Sequence, residues 1–427
     1  MGNRFITPVA GVFLSALALL WRRLMFRTTF IAVTGSLGKT SATRMLADAL
    51  ASRYPTNSTR GANNSRLGLA QAVLRTRPRH RYSVLEVGTQ RPGSMRRAAW
   101  MLNPNMVVLL NVARSHVENF NGLDAIAREK ARLASRMGPG GTLIVNCEDP
   151  RTQTIGAAFG GSVRTFGTSG RCDVWASDVA SRWPGRLEFT VHAGGESRRV
   201  RTRLVGEQWL SSALAALSAA LACGMDLDAA AAGIATTEPY LGRMQPVPLP
   251  CGAVMLRDEF NPSPDSWLAA LRVMADAEAE RKWVAIGDLD EPGVPVEQRM
   301  TTLGSSAAGV MDCAVFFGEH SALAARGALA AGMKPDSVHS FPSQREAGDF
   351  LNGELRRGDL VLLRSVLTDH PERIYFAQFG SVDCTRLTCR LMPLCDVCPH
   401  LHPGLERIGE VPVDARPNWR PSPPNGT

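Results

Sequence analysis

Residues 29–40 read Thr29-Phe-Ile-Ala-Val-Thr-Gly-Ser-Leu-Gly-Lys-Thr40, a short β-branched run that ends in a glycine-rich loop. Residues 40–52 follow with apolar side chains on one face at helical spacing, which predicts a helix. A strand, a glycine-rich loop and a helix in this order open an α/β nucleotide-binding unit. The loop has the form G-x-x-G-K-T, in which backbone N–H groups cradle phosphates, Lys39 reaches the β- and γ-phosphates, and Thr40 ligates Mg²⁺.

Strand and helix patterns continue to alternate after this unit. The continuous apolar run at 106–111 is typical of a buried parallel strand, and similar strands are predicted at 82–87 and 142–146. Residues 160–205 predict a small antiparallel insert. A second α/β region begins near residue 241. Its predicted strands lie at 253–257, 283–286, 313–317 and 360–364.

These patterns predict an α/β protein with more than one domain, and 427 residues are enough for two or three. We expect a central ATP-binding domain with a parallel sheet, followed by a smaller Rossmann-like α/β domain. The predicted boundaries are 1–28 for an apolar N-terminal segment, 29–238 for the central domain, 239–382 for the second domain, and 383–427 for a cysteine cluster and a flexible Pro-rich tail.

The N-terminal segment carries no charge from residue 5 to residue 21, and Arg22, Arg23 and Arg27 follow. This run is a little short of the ~20 residues that cross a bilayer. We interpret it as a membrane anchor or interfacial helix with its arginines on the cytoplasmic side. The alternative is a terminal helix packed on the protein. We expect a cytoplasmic protein. If the N-terminal segment is a membrane anchor, the protein is attached to the cytoplasmic face of the inner membrane.

The net charge is +9, from 48 basic and 39 acidic residues. Much of the excess is arginine in runs such as 75–81 and 198–203. No aromatic residues interleave these runs, as a stacking surface for nucleic acid requires. We therefore expect solvated basic faces and no nucleic-acid partner.

Nine cysteines are present, and their odd number and dispersal argue against a secreted disulfide framework. Four of them crowd into fifteen residues near the end of the chain. Four thiolates at such short spacing can hold zinc or, alternatively, an iron–sulfur cluster. The predicted ligands are Cys384, Cys389, Cys395 and Cys398, and the alternative is a set of reduced structural cysteines.

Further polar residues, in a fixed order, resemble those of the Mur ligase family, whose members use a G-x-x-G-K-T/S loop. Glu86 ends the next strand and is similar to the family's Mg²⁺-binding glutamate. His116 follows a strand that ends in Asn111, and it matches a ligand of a second Mg²⁺. Lys130 lies in a segment similar to the one whose lysine is carbamylated in this family, which needs a neutral amine.

The second α/β region continues the resemblance, which spans roughly residues 30–380. Residues 240–244 are similar to a Gly-Arg-Met segment, and residues 257–266 resemble a string found in the member that adds D-Ala-D-Ala. The resemblance implies ATP contacts from Gly35, Gly38, Lys39, Thr40, Ser41, Trp209, Arg243 and Asp258, a catalytic set of Lys39, Glu86, His116, Lys130 and Arg243, Mg²⁺ ligands Thr40, Glu86, His116 and Lys130, and substrate contacts from Asn261, Ser263 and Arg364.

Departures from the family pattern predict altered base contacts and altered substrate choice. Trp209 stands where members carry an adenine-reading Asn, Arg257 stands where they carry an Asp, and residues 363–366 replace a Lys-Gly-Ser-Arg string. Only 34 residues precede Gly35, too few for the UDP-binding domain of the cell-wall members. In this respect the chain is similar to the poly-γ-glutamate synthase ligases.

The resemblance implies an ATP-dependent ligase that uses Mg²⁺ and joins a carboxylate substrate to the amine of an amino acid or peptide through an acyl phosphate. Two alternatives are a membrane-associated P-loop ATPase and a Mur-like subunit that acts mainly as a scaffold with a partner protein. The ordered set of Glu86, His116 and Lys130 favours the ligase.

Overall fold

The computed structural model describes residues 8–89, 91–113, 120–260, 262–289, 291, 293–382, 384, 395–398 and 401. The chain forms two compact units. The first contains the residues up to 181 together with 186–238, and the second contains 182–185 together with the residues from 239 onward. Both units are α/β with predominantly parallel sheets, which confirms the predicted fold class.

The first unit alternates helices and strands along most of its length. Its elements are α1 Pro8–Leu24, β1 Thr29–Thr34, α2 Lys39–Ala51, β2 Thr56–Ser58, α3 Arg66–Arg75, β3 Tyr82–Glu86, α4 Ser94–Leu102, β4 Met106–Leu109, α5 Leu123–Ala131, β5 Thr142–Asn146, α6 Pro150–Ala157, β6 Ser162–Gly167, β7 Val174–Ala180, β8 Glu188–Ala193, β9 Glu196–Arg201, α7 Leu210–Ala222 and α8 Leu227–Ala235.

The described strands of this unit form one nine-stranded sheet in the order β2-β3-β1-β4-β5-β6-β7-β8-β9. The chain leaves β1 toward β3 on one side and later returns to place β4 on the other side. Such a reversal of strand order opens a crevice at the carboxyl ends of the strands, where ligands of open α/β sheets bind. The glycine-rich loop follows β1 at this edge, and Glu86 ends the adjacent β3.

Residues 160–205 are an extension of this sheet rather than a separate antiparallel insert. Strand β6 pairs in parallel with β5, and only β7, β8 and β9 pair in antiparallel fashion. Helix α5 ends at Ala131 and is followed by a 3₁₀ turn, Ala134–Arg136. Cys147 and Cys172, distant in sequence, are joined by a disulfide in this region.

Helix α1 packs against α3 and α4 of the first unit. Trp21 Nε1 donates a 2.8 Å hydrogen bond to the carbonyl of Thr76, and Arg22 Nε donates a 2.6 Å bond to the carbonyl of Leu102. The Arg22 guanidinium is buried and lies 4.1 Å from the ring centroid of Phe30. No helix among the described residues combines the length and the apolar character needed to span a bilayer.

The second unit is a smaller α/β layer structure. Its elements are β10 Gln245–Pro248, β11 Val254–Arg257, α9 Pro264–Asp276, β12 Arg281–Ile286, α10 Val296–Ala308, β13 Cys313–Phe317, α11 Ser321–Ala330, β14 Val338–Phe341, α12 Gln344–Glu354, β15 Asp359–Arg364 and α13 Glu372–Ala377. The described strands lie in the order β10-β11-β15-β12-β13-β14, and among them only β10 is antiparallel to its neighbour. Asp258 follows β11, and Arg364 is the last residue of β15. Because these two strands are adjacent and parallel, both residues lie at the same edge of the sheet.

Candidate active site

The loop at 35–40 connects β1 to α2, and close contacts restrict both of its glycines. A Cβ on Gly35 would lie 2.8 Å from Cβ of Leu110. Gly38 has a φ of 78°, in the left-handed region that favours glycine, and a Cβ there would lie 2.5 Å from Oγ of Ser212. The G-x-x-G spacing is therefore required by the packing of the loop against its neighbours.

Asn111, just beyond β4, holds this loop in place. Its Oδ1 accepts hydrogen bonds from the backbone N–H groups of Ser36 at 3.0 Å and Leu37 at 2.9 Å, and its Nδ2 donates to the carbonyl of Leu37 at 3.3 Å. From the sequence, Asn111 marks only the end of the strand before His116. An Asn directly after a buried strand beside a glycine loop is the signal that could have identified it as a positioning residue.

Lys39 begins α2 and folds back over the loop. Its Nζ donates hydrogen bonds to the carbonyl oxygens of Gly35 and Ser36, each at 2.9 Å. The positive end of the α2 dipole and this ammonium group converge on the same loop. This arrangement is suited to bind the phosphates of a nucleotide.

The two carboxylate oxygens of buried Glu86 differ in their hydrogen bonding. Its Oε1 accepts a 2.7 Å hydrogen bond from Nδ2 of Asn64, and its backbone N–H donates to Oγ1 of Thr59 at 2.9 Å. Its Oε2 is buried and accepts no hydrogen bond from the residues that the structure describes. A buried carboxylate oxygen without a partner costs free energy unless a cation binds there, so Glu86 fits a Mg²⁺ ligand.

Lys130 lies on α5 and is 2% exposed. Its Nζ donates to Oγ1 of Thr89 at 3.2 Å. Burial, and secondarily the charge of nearby Lys39, lower the pKa of Lys130 well below its ordinary value. The adjacent Glu129 does not compensate, because its carboxylate accepts from the backbone of Met95 and from Arg132. A lowered pKa favours the neutral amine, which is the form that carbamylation requires.

Three further predicted nucleotide contacts in the first unit are buried side chains. Thr40 and Ser41 are both buried in the first turn of α2. Trp209 is nearly buried just before α7, and its Nε1 donates to the carbonyl of Val205 at 2.9 Å. The predictions for His116, Asn261 and Cys389 lie outside the described residues.

In the second unit, Arg364 is buried and pairs with Asp258. Its Nη1 donates to the carboxylate of Asp258, and its Nη2 donates to Oγ of Ser266. Ser263 caps α9 and accepts a hydrogen bond from the backbone N–H of Ser266. The structure thus brings together one predicted nucleotide contact, Asp258, and two predicted substrate contacts, Ser263 and Arg364.

Arg243 lies beside this pair. Its guanidinium carbon is 4.9 Å from the ring centroid of Phe260 and 5.9 Å from that of Tyr240. Burial, together with the positive charge of Arg243, lowers the pKa of Arg364 to about 9. Two guanidinium groups so close repel each other, and a bound phosphate would relieve that repulsion.

Arg257, which departs from the family pattern, has a different role. It is buried, and its two Nη atoms donate to the two carboxylate oxygens of Asp396 at 2.7 and 2.8 Å. Its Nε donates to Oε1 of Glu259 at 2.7 Å. Arg257 therefore binds the cysteine-rich segment, and sequence reasoning missed this because the two residues are 139 positions apart.

Comparisons with known proteins agree with this geometry. The Mur ligase middle domain matches residues 33–220, and the Mur ligase glutamate ligase domain matches residues 242–366. The UDP-N-acetylmuramoyl-tripeptide–D-alanyl-D-alanine ligase of Mycobacterium tuberculosis (strain ATCC 25618 / H37Rv) is 29% identical over 357 residues, covering 79% of this chain and 70% of that protein.

Solved structures give the same result. The crystal structure II of MurF from Acinetobacter baumannii superposes with a TM-score of 0.80 at 27% identity and covers 86% of this chain and 80% of that one. MurF ligase from Thermotoga maritima in complex with ADP, at 21% identity, shows the same fold with a TM-score of 0.74 over 86% of this chain and 83% of that one. The chain therefore belongs to the Mur ligase family, and it is an ATP-dependent ligase that forms an amide bond between a carboxylate and an amine.

Proposed function

We propose that the chain phosphorylates the carboxylate of a peptide substrate with ATP and then joins the resulting acyl phosphate to the amine of an amino acid or short peptide. The observation that carries this proposal is the convergence of Lys39, Glu86 and Lys130 at one edge of the first sheet. Lys39 and Lys130 are close enough for their charges to interact, and Glu86 presents a carboxylate oxygen without a hydrogen-bond partner among the described residues.

We assign the ATP site to the first unit, proposed as a domain at 29–238, and additional nucleotide contacts to the domain at 239–382. Backbone N–H groups of the loop at 35–40 bind the β- and γ-phosphates. When ATP binds, the Lys39 ammonium group would give up its hydrogen bonds to two loop carbonyls and donate to phosphate oxygens instead. This exchange costs little free energy, because carbonyl and phosphate oxygens both accept hydrogen bonds. In this proposal, Asp258 binds the ribose and Arg243 binds a phosphate. The relative from Thermotoga maritima was solved with ADP.

We propose two Mg²⁺ ions in this site. Thr40 and Glu86 would hold one ion, and His116 with carbamylated Lys130 would hold a second. The ions supply charge neutralisation for the phosphates and for the acyl phosphate. Carbamylation turns the buried Lys130 amine into an anion, which balances the cationic surroundings created by Lys39. The residues of the chain thus position the reactants and orient their charges.

The named relatives act on UDP-N-acetylmuramoyl-tripeptide and D-alanyl-D-alanine. We propose a related peptide chemistry here with a different fine specificity. Arg364 occupies the region where the family pattern has Lys-Gly-Ser-Arg, and it is turned inward onto Asp258 and Ser266. Asn261, Ser263 and Arg364 remain the proposed substrate contacts.

The test is ADP release by purified protein with ATP and Mg²⁺, screened with pools of amino acids, D- and L-dipeptides and acidic peptides. The proposal expects turnover that needs both a carboxylate and an amine, and its loss in Lys39→Ala and in Lys130→Ala. Lys334→Ala is the matched control, because this lysine is exposed. Amine-independent turnover unaffected by Lys130→Ala would establish a P-loop ATPase instead. Turnover that appears only with a co-purified partner would establish the scaffold-like subunit.

We also propose that α1 rests on the surface of an anionic membrane. While one face of α1 packs on the first unit, Phe13, Leu17, Leu20 and Leu24 form an exposed stripe at helical spacing, 42–69% exposed. The exposed side chains of Arg23 and Arg27 follow this stripe. An apolar face bordered by basic residues is typical of helices that lie in the headgroup region.

Vesicle flotation tests this membrane proposal. We expect the protein to float with vesicles that contain anionic lipid and to lose binding in Phe13→Ser/Leu17→Ser. The control is Leu268→Ser/Leu329→Ser, which removes exposed leucines of the second unit. Equal flotation of both variants, or no flotation of the wild type, would contradict the proposal. Neither result affects the ligase assignment.

A further inference from the structure

The short segment 395–398 places two cysteines of the predicted cluster against the second unit. Cys395–Val397 forms a 3₁₀ turn, and the backbone N–H of Cys398 donates to the carbonyl of Cys395 at 3.1 Å. Cys395 and Cys398 are both buried, whereas Cys384 is only half-buried. The bidentate pair between Arg257 and Asp396 fixes this turn to β11.

Two side chains of the second unit complete a cluster around Cys395. Its Sγ lies 3.2 Å from Nδ1 of His370, which in turn lies 3.9 Å from Oε2 of Glu372. One ligand atom from each of these three residues lies within 4.8 Å of the other two, and all three residues are buried. Ligand atoms at the ~2.0–2.3 Å distances typical of tetrahedral zinc are separated by roughly 3.3–3.8 Å. The observed separations of 3.2 and 3.9 Å are close to that range.

Glu372 provides an independent observation. Its Oε1 accepts a 3.3 Å hydrogen bond from the backbone N–H of Cys395, but its Oε2 is fully buried and accepts none within the described part of the chain. Glu259, Glu372 and Asp396 bring three buried carboxylates together around Arg257. Arg373 also contacts Cys395. An unpartnered carboxylate oxygen that faces a thiol and an imidazole is an arrangement that a soft divalent cation would satisfy.

We propose that the second unit binds one structural zinc ion through His370, Glu372 and Cys395. This set differs from the four-cysteine site expected from the sequence, because two of its ligands come from the ligase fold itself. The ion would attach the cysteine-rich segment to the end of β15 and the start of α13. Its role is to stabilise this unit, and it goes beyond the proposed ligase function.

The decisive experiment measures metal content and coordination in the full-length protein. Wild-type protein purified with zinc and dialysed against metal-free buffer is expected to retain about one zinc ion per chain. His370→Gln and Cys395→Ser are expected to lose it, whereas Cys251→Ser, which changes an exposed cysteine of the same unit, keeps it. X-ray absorption of the wild type should show a mixed shell of sulfur near ~2.3 Å and nitrogen or oxygen near ~2.0 Å.

The absorption spectrum does not depend on whether a variant folds. A shell of four sulfurs, with zinc lost in Cys389→Ser and retained in His370→Gln, would overturn the proposal in favour of an all-cysteine site. Wild-type protein without stoichiometric zinc, and without tight binding of added Zn²⁺ or Co²⁺, would overturn metal binding altogether.

Discussion

The side-chain amide of Asn64 donates a 2.7 Å hydrogen bond to Oε1 of Glu86, while Oε2 of that buried carboxylate accepts no hydrogen bond from any described residue. Asn64 therefore orients the oxygen that we assign to Mg²⁺. Residues that orient metal ligands in this way typically contribute about 10–100-fold to metal affinity or activity.

We expect Asn64→Ala to raise the Mg²⁺ concentration needed for half-maximal turnover by about 10–100-fold, with most of the maximal rate recovered at high Mg²⁺. Glu86→Gln should lose turnover at every Mg²⁺ concentration. Magnesium titrations of ADP release measure both, with exposed Glu196→Gln as the control. An unchanged Mg²⁺ dependence in Asn64→Ala would show that Asn64 does not act through the metal.

Lys130 should make activity depend on dissolved CO₂. The chain has four lysines, Lys39, Lys130, Lys282 and Lys334, so a carbamate is easily assigned. With ¹³C-bicarbonate we expect one carbamate signal by NMR, absent in Lys130→Ala. Activity should fall in degassed buffer and return on addition of bicarbonate. Short carboxylic acids should partly restore Lys130→Ala, because they replace the missing anion. A carbamate signal that persists in Lys130→Ala would contradict this assignment.

Asn111 is expected to affect nucleotide binding more than the chemical step. Asn111→Ala removes the acceptor shared by the N–H groups of Ser36 and Leu37. At about 1 kcal/mol for each lost hydrogen bond, the KM for ATP should rise roughly 5–30-fold, with a smaller change in kcat. Steady-state kinetics at saturating second substrate separate the two effects. A fall in kcat at unchanged KM would instead indicate a direct role in catalysis.

The buried pair of Arg364 and Asp258 should be strongly coupled. Removing one partner leaves the other charge buried without compensation, which typically costs about 3–5 kcal/mol. Arg364→Met and Asp258→Asn should each lower the free energy of unfolding of the second unit, and the double variant should lose less than the sum. Denaturant unfolding of the four proteins gives this coupling. Additive losses would show that the two charges do not interact.

The sequence predicted the architecture well wherever a local pattern determined the structure. The β-branched run before Gly35 and the apolar run from Met106 gave two central strands of the first sheet, because burial on both faces requires such runs. The ends of α5 and the pairing of β6 with β5 could not be predicted from the local sequence. Both depend on which neighbours the chain finds in the folded sheet.

The candidate site was predictable to the extent that its residues match the motifs of the Mur ligase family. Glu86 and Asp258 were identified by this resemblance, and the structure places each beside polar partners. Asn64 and Arg257 were not assigned their roles, because their partners Glu86 and Asp396 are distant in sequence. His370 gave no signal, since its relation to Cys395 arises only when the cysteine-rich segment folds onto the second unit.

The most direct test of the central claim follows one oxygen atom. Once the carboxylate substrate is identified, it is labelled with ¹⁸O and the phosphate released during turnover is analysed by mass spectrometry. Formation of an acyl phosphate predicts that one ¹⁸O leaves with phosphate for each amide bond formed. Unlabelled phosphate, released in amounts that do not follow amide formation, would contradict the account and show that the chain hydrolyses ATP without activating the carboxylate.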